Sequence, residues 1–283
     1  MSNWDATNFS ARDNLLRVVD RQAQELFTMA AAPGVWEAPT ACSNWQVRDI
    51  VGHLIDVTEG YFTGFDAARS GAQVPDALGT KAMQDKLNEA AQGLRSLGQD
   101  AALARLRDDY TKLVGIVEGL APDEWAGLMV PHKYMGTLPA FFYPVFQLMD
   151  YSVHGWDIRQ GSGRAHCFDG EAADMLVPFM FILWSATADI PADAEPCEIG
   201  IKVNGGNNAG SWRITAGPAG IAYTPGEVDE VGDPATAPGT GTGTVLEFDP
   251  GSFVLTAFGR SNAGTVRGDA ALADRYLNMF FRI

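Results

Sequence analysis

The sequence predicts an α plus α+β protein, in which an N-terminal four-helix bundle precedes a small antiparallel sheet domain with a C-terminal helix. Before residue 165, four long segments carry apolar residues at the spacing of helices that bury one face. Beyond Pro191, short alternating segments are separated by Gly, Pro and Asn, as strands are. A chain of 283 residues also exceeds one average domain. We therefore predict a bundle at 1–165, a connecting helix at 166–190 and a small α+β domain at 191–283.

The four bundle helices are predicted from their apolar spacing and their end signals. Ser43, with Gln46 three residues later, has the form of a capping box that opens the second helix. Thr137-Leu138-Pro139 predicts the start of the fourth helix, because proline is favoured in the first turn. The predicted helices cover residues 5–31, 44–68, 101–120 and 138–160.

The second half of the chain is predicted from shorter patterns. One helix is expected at 171–187 and a closing helix, which would cover one face of the sheet, at 270–280. The segment 226–243 is rich in acid, Pro, Gly and Thr and predicts a surface loop. The predicted strands cover residues 198–203, 211–215, 220–223, 244–248 and 252–257.

The composition excludes several classes of function. Thirty-five acidic residues against 20 basic ones give a net charge of −15, which repels nucleic acid and anionic membranes. The longest strongly apolar stretch, 175–186, is shorter than the roughly 20 residues of a membrane-spanning helix. The N-terminus lacks the basic and then hydrophobic order of a secretory signal, so we expect a cytoplasmic protein. Three widely spaced cysteines predict reduced thiols, and we assign Cys42 no chemistry.

Two predicted helices carry residues that suit a metal site. Asp150 and His154 are four residues apart, so both project from one helix face, and His53 lies on the apolar face of the second helix. Two imidazoles and a carboxylate fill three of the four positions on zinc, and they also suit iron or nickel. Taken alone, the Asp150–His154 pair also fits ordinary helix salt-bridge patterning. Asp49 is a candidate acceptor for the second ring proton of His53, or a surface acid, or a partner of Arg48.

The same residues carry a family resemblance. The pattern W-x-x-P-T-x-C-S-x-W-x-V-R-D-I-V-x-H-L covers Trp36 to Leu54, and D-Y-S-V-H-G-W-D-I begins at Asp150. Together they resemble the mycothiol-dependent maleylpyruvate isomerase family, a DinB-like metal-binding four-helix bundle with a small sterol-carrier-like C-terminal domain. The resemblance implies that His53, Asp150 and His154 hold zinc. The family usually has glutamate where this chain has Asp150, which puts the metal distance and the substrate in question.

The C-terminal segment V-L-E-F-D-P-G-S-F-V-L-T-A-F-G-R resembles the small domain of the same family and ends at Arg260. The resemblance places Arg260 after a strand and a glycine, with a catalytic and cofactor-binding role. A guanidinium there could form a bidentate pair of hydrogen bonds with a carboxylate of the substrate or of the thiol cofactor. The alternative is a salt bridge between the domains. His132 and His166 are expected to be exposed or loop residues away from the metal site.

The resemblance implies a mycothiol-dependent metalloenzyme that activates a thiol for attack on a small electrophile, as an isomerase or a thiol S-transferase. Its partners would be a low-molecular-weight thiol and a small electrophilic molecule, in a monomer or homodimer. A second reading keeps the metal but not the thiol and gives a hydrolase, lyase or cyclase. A third is a non-catalytic protein that binds a small ligand.

Overall fold

A computed structural model of the chain describes residues 4–163, 166–226, 228 and 243–282. The chain divides into a unit at Asp5–Phe168 and a second unit that begins at Asp169. Within the described ranges, no helix combines the length and the apolar character needed to cross a membrane.

The first unit is a bundle of long helices joined by shorter elements. Helix α1 packs on α6, and α2 packs on α4, which confirms the predicted four-helix bundle. The helices are α1 (Arg12–Ala30), α2 (Val47–Ser70), α3 (Met83–Gly93), α4 (Gln99–Glu118), α5 (Pro122–Gly127) and α6 (Phe142–Gly161). Short 3₁₀ turns lie at Phe9–Ala11 and Thr80–Ala82, and a hairpin of β1 (Met129–His132) and β2 (Gly136–Pro139) precedes α6.

The start of α2 differs from the prediction. Gln46 has extended backbone, and its N–H donates to Asp49 Oδ2 at 2.8 Å. The helix therefore begins at Val47, and Gln46 with Asp49 takes the place of the predicted pair at Ser43 and Gln46.

The start of α6 was also predicted wrongly. Thr137, Leu138 and Pro139 pair with β1 in an antiparallel ladder, and the helix begins only at Phe142. Proline is tolerated there because the hairpin has only two strands, so both are edge strands. The missed hairpin packs on α2.

Two glycines allow the hairpin and α3 to approach α2 closely. A Cβ at Gly52 would lie 2.5 Å from the Ala91 carbonyl oxygen of α3. A Cβ at Gly64 would overlap the Pro131 carbonyl oxygen of β1. Both neighbours are backbone atoms, so neither can be relieved by a side-chain rotation.

The second unit is a five-stranded sheet with helices, in the order β5-β4-β3-β6-β7. The pairing is antiparallel as predicted, except that β3 and β6 are parallel. The strands are β3 (Cys197–Val203), β4 (Gly210–Gly217), β5 (Gly220–Pro225), β6 (Val245–Phe248) and β7 (Thr265–Arg267), and the helices are α7 (Gly170–Thr187), α8 (Pro250–Ala257) and α9 (Ala270–Leu277). Phe181, Trp184, Phe253 and Tyr276 form an aromatic core. Most of the predicted loop at 226–243 lies outside the described residues.

The strand predicted at 252–257 is a helix, α8. Asp249 accepts a hydrogen bond from the Ser252 N–H at 3.0 Å, and Pro250 occupies the first turn. This cap and the helix-compatible proline outweigh the apolar run that suggested a strand. The fifth strand is instead β7, which the sequence pattern did not reveal.

Candidate metal centre

Helices α2 and α6 bring the three predicted ligands together in the first unit. The His53 and His154 ring centroids lie 5.0 Å apart, and His53 Nε2 lies 3.8 Å from Asp150 Oδ1. The candidate ligand atoms of the three residues all lie within 4.8 Å of one another. Both histidines are buried, whereas the Asp150 side chain is 20% exposed, so the cluster is reachable from its Asp150 side.

Asp157 positions the ring of His154. Its Oδ2 lies 2.9 Å from His154 Nδ1, and its side chain is fully buried. Burial lowers the pKa of His154, although the hydrogen bond to Asp157 acts in the opposite direction. A neutral ring with its Nδ1 proton on Asp157 has the lone pair on Nε2, which is the form that a metal ligand requires.

Cys42 joins the same network, so His154 belongs to two potential ligand groups. Cys42 Sγ lies 3.1 Å from Asp157 Oδ2 and 4.0 Å from His154 Nδ1. Cys42, His154 and Asp157 have the types and spacing of metal ligands. However, Asp157 is already within hydrogen-bond distance of both neighbours, which makes this group better suited to holding the His154 ring than to holding a cation.

His53, Asp150 and His154 fit a metal ion better. Among the described residues Asp150 makes no ion pair with lysine or arginine, so its charge is not compensated by the protein. At 3.8 Å its oxygen is also too far from His53 Nε2 for a hydrogen bond. A cation between two imidazoles and this carboxylate would supply the missing partner, and three protein ligands would leave one position open.

Trp45 covers the two histidines. Its ring centroid lies 5.1 Å from that of His53 and 5.7 Å from that of His154. Its Nε1–H donates to Asn88 Oδ1 of α3 at 3.0 Å. Helix α3, which the sequence analysis did not predict, therefore holds the Trp45 ring in place over the two histidines.

Comparison with known proteins identifies the family of the domain that carries these residues. Residues 19–159 match the family model of the mycothiol maleylpyruvate isomerase N-terminal domain. This chain belongs to that family. The matched segment contains His53, Asp150 and His154. No curated protein matches the chain in sequence.

Two solved structures of the mycothiol-dependent maleylpyruvate isomerase share the fold, and one of them is a histidine-to-alanine mutant. The mutant has a TM-score of 0.59 and the other structure 0.58. Each is 14% identical in sequence, and each alignment covers 90% of this chain and 92% of the other. At this identity the likeness establishes the isomerase fold.

Asp49 does not serve the site in this member of the isomerase family. It accepts hydrogen bonds from Arg95 Nε and Nη2 at 2.6 and 2.7 Å as well as from the Gln46 N–H. Burial raises its pKa, but Arg95 and the Gln46 N–H outweigh that effect and lower the pKa overall. Asp49 therefore forms a buried ion pair with Arg95 and is not a surface acid. Within the described ranges, His53 Nδ1 has no hydrogen-bond partner.

His132 was expected to be an exposed or loop residue, and that expectation is wrong. It ends β1 and is half-buried, with its ring centroid 5.4 Å from that of Phe146 and 6.0 Å from that of Tyr61. Burial lowers its pKa to about 4, and the Asp150 carboxylate opposes this shift. Asp157 and Cys42 contact His154, and sequence reasoning assigned neither of them to the candidate site.

Arg260 lies in the second unit, after α8 and not after a strand as expected. Gly259 has a positive φ of 63°, and the Arg260 N–H donates to the Leu255 carbonyl at 2.8 Å. The guanidinium Nη1 donates to the Phe258 carbonyl at 3.2 Å. The glycine before Arg260 thus turns the chain at the end of a helix.

Proposed function

We propose that the chain is a mycothiol-dependent metalloenzyme in which His53, Asp150 and His154 hold one divalent ion. Zinc is the preferred ion, and iron and nickel are the alternatives. The clustering of these three residues, inside the domain that matches the isomerase family, carries the proposal. The substrate is a small electrophile, and the reaction is cis-trans isomerisation or thiol S-transfer.

A divalent ion supplies a positive charge that lowers the pKa of a nearby thiol and favours the thiolate. The protein residues make this possible in three ways. Asp157 keeps the ring of His154 in the ligating tautomer, Trp45 excludes water from one side, and the partly exposed Asp150 leaves an approach for small molecules. Arg260 is proposed to bind a carboxylate of the substrate or of mycothiol.

The family name supports isomerisation of a maleylpyruvate-like substrate. The thiol sulfur adds to a carbon of a double bond conjugated with a carbonyl group. A C–S bond forms, and the π electron pair moves to the carbonyl oxygen. The former double bond is now single and rotates. The electron pair then returns, the C–S bond breaks and the thiol leaves with no net change in protons or electrons.

The shorter carboxylate at Asp150 favours a second candidate, a metal-dependent hydrolase, lyase or cyclase that uses no thiol. The loss of one methylene relative to glutamate changes the reach of the third ligand. A more open site would admit water or a substrate oxygen in place of sulfur. The two candidates differ in one requirement, which is the thiol.

Metal content and thiol dependence test the proposal. Elemental mass spectrometry of the wild type, His53→Ala and His154→Ala should give about one equivalent in the wild type and a loss in both variants. His166→Ala, outside the cluster, is the matched control and should retain the metal. Turnover of maleylpyruvate should then require mycothiol. Turnover without thiol would favour the second candidate, and absence of metal from the reconstituted wild type would reject both.

A further inference from the structure

The β1–β2 hairpin holds His132 in one tautomer. His132 Nδ1 accepts the backbone N–H of Tyr134 at 3.3 Å and that of Met135 at 3.2 Å. Because both partners are donors, Nδ1 must carry the lone pair, and the ring proton of the neutral form lies on Nε2. The low pKa that burial gives His132 agrees with a neutral ring at physiological pH.

A neighbour on α6 places the His132 ring near Asp150. The ring packs on Phe146, which lies one helical turn before Asp150 on α6, and the Asp150 carboxylate acts on it electrostatically. Within the part of the chain that the structure describes, Nε2 makes no hydrogen bond, and it is not among the enclosed atoms that lack a partner. His132 therefore offers an accessible N–H donor, on a ring that packs one helical turn from Asp150.

The hairpin is firmly attached to the bundle, so the donor is held in place. The Tyr143 hydroxyl lies 3.0 Å from the carbonyl oxygens of both Val130 and Pro131, so its one proton is shared between these two acceptors. Gly64 lets β1 lie directly against α2. The Leu78 N–H donates to the Lys133 carbonyl at 3.0 Å and ties the turn of the hairpin to the preceding loop. A donor held by packed backbone loses little freedom when it binds an anion.

We propose that His132 is a catalytic residue of this site, whose Nε2–H binds the substrate oxygen that becomes negative when the thiol sulfur adds. The role in turnover rests on the proposed function. In that reaction the electron pair must return from oxygen to expel the thiol after rotation. A donor that stabilises the anion without protonating it suits this requirement, and a neutral imidazole gives up its N–H proton reluctantly.

Binding of maleate, a planar cis dianion, to the zinc-loaded protein tests the donor without turnover. The variants are His132→Phe, which keeps a ring but no donor, and His132→Gln, which restores an N–H near the position of Nε2. The matched control is His166→Phe, since the His166 ring packs on Trp156. By calorimetry, His132→Phe should weaken binding about tenfold to a hundredfold. Binding by His132→Gln should lie between, and the control should equal the wild type.

Nitrogen-15 NMR of the metal-free wild type supplies a second readout, in which His132 should be the Nε2–H tautomer at pH 7. The proposal is overturned by an Nδ1–H tautomer, by wild-type affinity in His132→Phe, or by no maleate binding to the wild type. Zinc content and melting temperature show whether His132→Phe has kept its fold. If it has not, the tautomer of the wild type and maleate binding by His132→Gln decide whether the proposal holds. Neither readout uses mycothiol, so failure of thiol-dependent turnover is a separate result.

Discussion

Replacing Asp157 by Asn should weaken metal binding while leaving every ligand in place. Asp157 Oδ2 lies 2.9 Å from His154 Nδ1, and the side chain is fully buried, so solvent cannot replace the lost interaction. An amide accepts the Nδ1 proton less strongly, and if its NH₂ faces the ring it favours the wrong tautomer. Loss of such an outer hydrogen-bond partner typically costs about 10- to 100-fold in metal affinity, or about 1.4–2.7 kcal/mol.

The assay is competition for zinc against a chelator of known affinity at a temperature where all variants are folded. Asp49→Asn is the matched control, because Asp49 is equally buried but binds Arg95 and not a histidine. Its zinc affinity should stay within about twofold of the wild type, a change of less than 0.5 kcal/mol. Unchanged affinity in Asp157→Asn, or an equal loss in Asp49→Asn, would refute the orienting role of Asp157.

Further outcomes follow from buried contacts in the first unit. Gly64→Ala should lower the free energy of unfolding by about 1–3 kcal/mol because its Cβ meets the backbone carbonyl of β1, whereas Gly60→Ala, with open space, should raise it by about 0.5–1 kcal/mol; urea unfolding measures both. Arg95→Ala should cost about 1–3 kcal/mol at pH 7 because it removes two hydrogen bonds from the buried Asp49 carboxylate. This loss should shrink below the unfolded pKa of 3.8, where the stabilisation from the lowered pKa of Asp49 fades in the wild type as well. Burial and Glu59 raise the pKa of Asp109 to about 6, so Asp109→Asn should stabilise by about 1 kcal/mol above pH 6, with no gain below pH 4.

The long helices and the ligand cluster could be predicted because each rests on local spacing. Apolar periodicity located α1, α2, α4 and α6, and residues four apart on a helix necessarily share a face. His53 was grouped with Asp150 and His154 because it lies on the apolar face of the second helix, and the family resemblance supported this grouping. The four-residue spacing in α6 alone gave no partner helix.

What the sequence did not reveal depends on tertiary contacts. Helix α3 buries only Ala91, so its apolar pattern is too weak to detect. Cys42 and Asp157 are 115 residues apart in the chain, so local sequence spacing cannot predict their contact. His132 acquires its surroundings from a two-stranded hairpin whose Pro131 and Gly136 look like loop residues. Asp157 had one sequence signal, its place three residues after His154.

The contact of Trp45 with both histidine rings gives the protein an optical probe of its own. The emission of an indole 5.1 and 5.7 Å from two imidazoles should change when those rings bind a metal ion. The chain has seven tryptophans, so the fluorescence difference between the wild type and Trp45→Phe isolates this signal. Titrations at the metal centre can then be followed continuously in the unlabelled protein, with no substrate or coupled enzyme.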